Sequence, residues 1–309
     1  TIRNLTLYQD DRNYKYLGIF PRMQGGSVYN LTLENVDLDL GTKSLGRTNV
    51  QAGLIAGEVY GNTNTISKIT IINCGVRATS SAGSGGLVGS VTGGSTVVNI
   101  NNIKATNLKV FNKSSNTGGI IGAINTSGAT ININDIDIKG EVYSSNTNSH
   151  TGGIIGRIIN GGKATINRAI VEMTSRNTLE TSSTYYNKYS IQYLGGFIGR
   201  NESTSTNVVI DSVFFTGGLV TNTTTYYRYI GTAIGRSGGS QTMTNAYYST
   251  VLVRQSNNTI SNYSDTSVLG TNADRVTTSP TWWNAFKANF DSANNLWAQD
   301  INGRLTLIR

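Results

Sequence analysis

The chain has 309 residues, with 25 Lys or Arg against 17 Asp or Glu and a formal net charge of +8. Charged residues make up only 14%, one Cys rules out an internal disulfide framework, and no apolar run approaches the roughly 18 residues of a membrane span. With 36 Gly against 2 Pro the turns are driven by glycine, and the basic residues are too scattered to form a nucleic-acid surface.

The opening TIRNLTL from Thr1 reads as a strand with neither Met nor a signal peptide, as expected of a mature fragment of something larger. A glycine phrase then recurs: a degenerate LGIFPRM from Leu17, then AGLIAGE from Ala52, GGLVGSV from Gly85, GGIIGAI from Gly118, GGIIGRI from Gly152, GGFIGRN from Gly195 and GTAIGRS from Gly231. Anchored on the second position, residues 53, 86, 119, 153, 196 and 232, the steps are 33, 33, 34, 43 and 36 residues. A fixed period with longer outliers is one structural unit stacked on itself, with insertions confined to loops.

Between the phrases, SVYNLTLENVDLDL, TISKITIINCGV, TVVNINNIKATNLKV, ATININDIDIKGEV, ATINRAIVEM and NVVIDSVFF alternate aliphatic and polar residues with period two, the pattern of half-buried strands. A unit of this size cannot bury its own apolar face, whereas stacked units bury a continuous column. The expected fold is an all-β, right-handed parallel β-solenoid of about seven glycine-phrase coils over 1–278, closed by a cap with a short helix and a final strand over 279–309. One inward column is expected to hold Val36, Cys74, Ile103, Ile136, Ala169 and Ala246, each preceded by a polar residue, which makes Cys74 a small core residue and not a reactive thiol. The paired glycines let the backbone take a sharp corner or φ > 0 and leave room for close approach of neighbouring segments. A phosphate loop is excluded, because strands and not helices follow.

Candidate chemistry is sparse along this chain. The pairs Asp37/Asp39 and Asp135/Asp137 lie two apart on strands and point outward, a spacing that could bind Ca²⁺ or act on a glycoside but is expected to form a solvated outer face. The sole histidine, His150, lies in the polar turn SNTNSHTGG and is expected at the surface; a zinc peptidase helix needs two histidines. No catalytic residue, metal ligand or cofactor site is assigned. Binding residues are expected in two groups. Arg22, Arg157, Arg200 and Arg236 follow the phrase at equivalent positions, and Arg200 stacked on Arg236 repels it unless an anion or carboxylate sits between them or the side chains fan into water. Tyr185, Tyr186, Lys188, Tyr189 and Tyr193 occupy the longest repeat, and Tyr226, Tyr227, Arg228 and Tyr229 the matching stretch of the next; these rings either bind or pack on the loop's own backbone. Near the C-terminus, Ser279 and Pro280 open a helical pattern with Trp282, Phe286 and Phe290 over 280–297, expected to cover the open end of the stack.

At these residues a family resemblance emerges. GLVG at 86–89, GIIG at 119–122 and 153–156, and GFIG at 196–199, each with its following strand, resemble GLUG repeats, named for Gly-Leu-any-Gly. Such repeats occur in bacterial cell-surface adhesins and in the non-catalytic region of some secreted immunoglobulin-A-cleaving metallopeptidases. The resemblance covers roughly residues 17–250, with departures at Pro21, Ala56 and Thr232, and the closing NNLWAQDINGRLTLI resembles the segment that follows such arrays. It implies an extracellular or cell-surface structural and adhesive module with a host or matrix glycoprotein, a glycan or further copies of itself as partner. The rivals are a self-assembling spacer or fibre subunit and a carbohydrate-active β-helix enzyme.

Overall fold

The computed structural model describes residues 1–9, 14–40, 50–78, 81–113, 115–145, 148–177, 192–202, 208–221, 228–248, 253–254, 260–261, 273–275, 288, 290, 296–300 and 305–308. Within them the backbone winds as an all-β parallel solenoid of about six turns. Three walls run its length: wall A, a 15-stranded sheet, and walls B and C, of seven strands each. Every level passes from B to C to A. One level is Ser81–Gly85 in wall B, Val88–Thr92 in wall C and the long Val97–Asn112 in wall A.

Wall A strands are continuous yet cornered. Period-two alternation puts Val98 and Ile100 inside, then breaks at Asn102 so that Ile103 and Ala105 also point inward. The residue at the break is left-handed at every level: Asn30, Lys68, Asn102, Asp135, Arg168, Ser212 and Asn245 all have φ between 48° and 55° or, for Asp135, 56°. One left-handed residue shifts the inward phase by a single position, as a bulge does, and turns the strand while keeping the ladder to its neighbours. A second left-handed column, Asn4, Asn35, Asn73 and Asn107, makes a further corner in the first levels.

These two corners split the expected inward column. Register places Leu31, Ile69, Ile103, Ile136, Ala169, Val213 and Ala246 together. Val36 and Cys74 belong instead to the second corner, one residue ahead of Asp37, Gly75 and Lys109, and align with Leu108. In sequence the two corners look alike, since each is a polar left-handed residue followed by an inward aliphatic one. Cys74 is a buried free thiol, as expected of a core residue, and burial pushes its pKa up. On the outer face of wall A, Asn132 donates to Asn99 at 2.9 Å and Asn134 to Asn101 at 3.0 Å, an amide ladder running along the stack.

The glycine phrase makes the turn from wall B to wall C, and each of its glycines is needed for a different close approach. A Cβ on the first, such as Gly118, would strike the Ile121 carbonyl across the turn; on the second, Gly119, it would strike the Gly153 carbonyl of the next level; on the third, Gly122, it would strike the Ser84 amide of wall B one level back. None of these three has positive φ, so close approach and not backbone conformation demands glycine. The departures then have local reasons. Ala56 is level with Val88, so it is not at a glycine position, and Gly57 fills that place. Gly53 pairs with Gly85, so the step between these copies is 32 residues by register, one less than the sequence anchor suggests. Pro21 sits between Phe20 and Arg22, level with Gly57, at the first wall C strand, where no described wall B strand lies a level back. Thr232 follows Gly231 in the last level of walls B and C, with no described carbonyl beyond it to strike.

The C-terminal segment does not lie across the end of the stack in its described part. Trp297–Gln299 and Leu305–Leu307 form an antiparallel pair strapped along the outside of wall A. Trp297 Nε1 donates to Asp135 Oδ1 at 3.0 Å, Thr306 Oγ1 to Asp137 Oδ2 at 2.7 Å, and Lys104 Nζ to the Leu307 carbonyl at 2.9 Å. Beneath the strap, Ile170 joins Phe290, Trp297, Leu305 and Leu307 in a small apolar cluster with Phe214 and Tyr247 packed against it. Asp135 and Asp137 are therefore 6% and 3% exposed, not solvated as their outward alternation suggests. The expected helix lies outside the described residues apart from Ala288 and Phe290, and Trp297, its expected last residue, is in a strand.

Two outcomes follow for stability. Gly119→Ala should lower unfolding free energy by about 3 kcal/mol through overpacking against backbone, whereas Gly94→Ala, with open space around its Cβ, should change it little; urea melts compare them. Asp137→Ala strands the Leu307 amide and the Thr306 hydroxyl and should weaken the strap by about 2 kcal/mol. Hydrogen exchange at Leu305–Leu307 should then speed by more than about tenfold, while that of the inner strands stays unchanged.

Candidate functional site

Walls B and C meet in a seam where two outward columns face one another. Wall B contributes Tyr16, Gln51, Gly83, Asn116, His150 and Tyr193, with Tyr229 next in backbone register. Wall C contributes Arg22, Glu58, Ser90, Ala123, Arg157, Arg200 and Arg236. The expected equivalence of the four arginines is thus correct, and the column also contains Glu58.

The upper half of the seam carries a cluster. Glu202 lies between two arginines, with Arg157 Nη2 2.6 Å from Glu202 Oε2 and Arg200 paired to the other carboxylate oxygen. Arg200 also lies over the Tyr193 ring, 4.3 Å from its centroid, and Arg236 Nη1 reaches the Tyr193 hydroxyl at 3.4 Å. His150 stacks on Tyr193 with centroids 4.8 Å apart and an 8° interplanar angle. The arginines do not fan into water: the Arg157 and Arg200 side chains are 25% and 24% exposed. A carboxylate between like charges turns repulsion into a charge-assisted network. The lower half repeats the theme, with Arg22 paired to Glu58 at 2.6 Å and placed over the Tyr16 and Tyr60 rings.

His150 is buried and not at the surface. It opens the wall B strand His150–Gly152, and its ring is covered by Tyr193 one level on. Arg200 can only donate, so His150 Nε2 accepts at 3.3 Å and the proton sits on Nδ1, which has no hydrogen-bond partner. Burial, then the Arg157 and Arg200 charges, hold its pKa well below the usual 6.5.

Of the other residues expected to bind, Tyr193 is buried in the seam, while Arg200 and Arg236 are engaged with it. Arg228 and Tyr229 lie in the wall B strand Arg228–Gly231. Tyr185, Tyr186, Lys188, Tyr189, Tyr226 and Tyr227 lie outside the described residues. Among the described residues no group of three or more His, Cys, Asp or Glu gathers to hold a metal ion.

A second feature went unread in the sequence. Beyond the second corner of wall A, a groove of about 650 Å³ opens outward over the strands Asp37–Asp39, Gly75–Ala78 and the ends of Val97–Asn112 and Thr130–Ser144. Register lays Tyr8, Asp39, Arg77, Phe111 and Tyr143 in one outward column, and Asp37, Gly75, Lys109 and Glu141 in the next. Phe111 and Tyr143 stack at 4.9 Å with an interplanar angle of 29°. Phe111 and Tyr143 each alternate with inward Val110 and Val142, so the signal was present, but only level-by-level register shows that the rings coincide.

The class defined by this architecture is the parallel β-solenoid. Among solved structures the chain is similar to a candidate immunoglobulin A1 protease from Bacteroides ovatus, with 16% identity, a TM-score of 0.50 and coverage of 91% of this chain and 86% of that one. At that identity the likeness establishes a shared fold. No family model matches, so the GLUG phrase stands as a resemblance, and no curated protein matches.

The seam should respond to acid. Unfolded His150 titrates near 6.5 and the folded ring well below it, so between the two values the unfolded chain binds more protons. Stability is fully present above about pH 6.5 and is lost as pH falls through it toward the folded pKa, by up to about 1.4 kcal/mol per unit. His150→Asn, matching Asn116 one level back, should flatten that slope when urea melts at about pH 7.5 and about pH 5 are compared.

Proposed function

We propose that the chain is a non-catalytic structural and adhesive module of a secreted or surface-exposed bacterial protein, binding a host or matrix glycoprotein or glycan through side chains displayed on a rigid rod. The observation that carries this reading is the register. Successive levels hold outward residues in straight columns, so a ligand meets a preorganised surface and little ordering cost remains to be met on binding. The shared fold with the Bacteroides ovatus protein supports a secreted bacterial setting.

The longest step in the stack, 43 residues between the second glycines of two phrases, supports a projecting recognition surface rich in tyrosine. Tyrosine brings a large rigid contact area at low entropic cost. Replacing Tyr185, Tyr186, Tyr226 and Tyr227 together by Ser should leave the β-type circular dichroism spectrum unchanged and abolish adhesion to epithelial cells or immobilised mucin. Full adhesion by the variant would place recognition elsewhere on the rod.

One observation favours a spacer or assembly subunit as a second reading. The exposed large aromatic residues among those described, Tyr8, Tyr14, Phe20, Tyr29 and Tyr60, all lie in the first two levels, beside the open edges of three sheets. Concentration-dependent multimers in sedimentation velocity, lost on Phe20→Ser with Tyr29→Ser, would support assembly through that end.

A further inference from the structure

We infer that the groove over the second arm of wall A is a binding site for a neutral saccharide; this deepens the adhesive reading and rests on it. The rings supply the first half of the argument. Phe111 and Tyr143 occupy successive levels, so their stack runs along the rod and one face of Phe111 is covered by Tyr143. The opposite face turns toward Arg77, its partner one level back, while in the neighbouring column Gly75 contributes no side chain between Asp37 and Lys109. A Cβ there would stand 2.6 Å from Asp37 Oδ1, so the carboxylate leans over the place a side chain would occupy. The result is an aromatic wall with Arg77 at its end, beside a floor on which the Asp37 carboxylate takes the place of a side chain at Gly75, with both rings half-buried and held by the strand ladder.

Polar groups supply the second half. Asp37 brings a carboxylate acceptor to one end of the floor, and Arg77 and Lys109, one and two levels further on, bring donors. A pyranose has an apolar face of C–H bonds and a rim of hydroxyls, each both donor and acceptor. That pattern matches an aromatic wall rimmed by carboxylates and cations. Charge chooses between ligands. Three acids, Asp37, Asp39 and Glu141, line the groove with two bases, Arg77 and Lys109, so neither a polyanion nor a polycation meets a field of the opposite sign. An uncharged ligand rich in hydroxyls can donate to the acids and accept from the bases without bringing a further charge into the groove.

The test uses the whole chain and a panel of neutral hexasaccharides from glucan, mannan, galactan and xylan, with heparin hexasaccharide and oligolysine as charged controls. Saturation-transfer NMR should show contact with at least one neutral member and with neither control, and titration calorimetry should give its Kd. Phe111→Ala should weaken that Kd by about tenfold or more, and Arg77→Ala, at an exposed position, should weaken it as well with its urea midpoint unchanged; the β-type circular dichroism spectrum of both variants should match that of the parent, although Phe111→Ala also loses the stack on Tyr143. Binding of no neutral hexasaccharide, preference for a charged control, or an unaltered Kd in Phe111→Ala would each overturn the site. Cell adhesion measured on the same Phe111→Ala protein separates the two readings. Adhesion that persists when the saccharide result fails leaves the adhesive role standing and removes only the groove, whereas saccharide binding without cell adhesion removes the adhesive role and keeps the groove.

Discussion

Everything in this rod depends on two backbones lying against each other with no side chain between them. Walls B and C approach so closely at the glycine phrase that a single methyl at Gly85, Gly119 or Gly122 would overlap a carbonyl or amide of the turn, the next level or the facing wall. That contact sets the thickness of the stack on one side. Wall A, with its cornered strands and its aliphatic filling from Val98 to Val213, then closes the remaining space. Because the close approach repeats at each level, the period is a steric requirement, and insertions are accepted only between walls, as in the long step before Gly195.

The seam shows how a stack manages identical side chains. A parallel solenoid places equivalent residues one above another, which helps amides, as in the Asn99–Asn132 ladder, and penalises charges. Three consecutive arginines in wall C are tolerable because Glu202 comes from the turn beyond the strand and not from the column. Tyr193 covers Arg200 with its ring, and His150 stays neutral beneath it. Arginines that read as binding candidates from their shared offset in the sequence are, in this arrangement, occupied with keeping their own charges balanced.

Much of the architecture was legible from local pattern. Period-two alternation placed the strands, and the recurring phrase gave the stacking, because both are short-range consequences of burial. The arginine column could be read for the same reason, since its residues share an offset from the phrase. What escaped depends on position in space. Asp137 looks like any outward acid until Thr306 and Leu307, some 170 residues later, donate to it. The apolar outward residues Ile170, Phe214 and Tyr247 were the available clue, for an exposed column does not turn apolar without a cover. Val36 and Cys74 were assigned to the wrong column because two corners share one local signature. His150 was misplaced because a polar turn in sequence lies against Tyr193 in the fold.

The strap alters how such a molecule can come into being. A stack whose levels touch only their neighbours can add coils one at a time as the chain emerges from the ribosome, each new level templated by the last. Residues 297–307 join Lys104, Asp137, Ile170 and Tyr247, which lie on different levels of the same wall. That joint can form only after all of those levels are in place and Leu307 has been synthesised. The fastening is therefore a completion step: it ties non-adjacent coils into one cooperative unit and closes only on a stack assembled in the correct register.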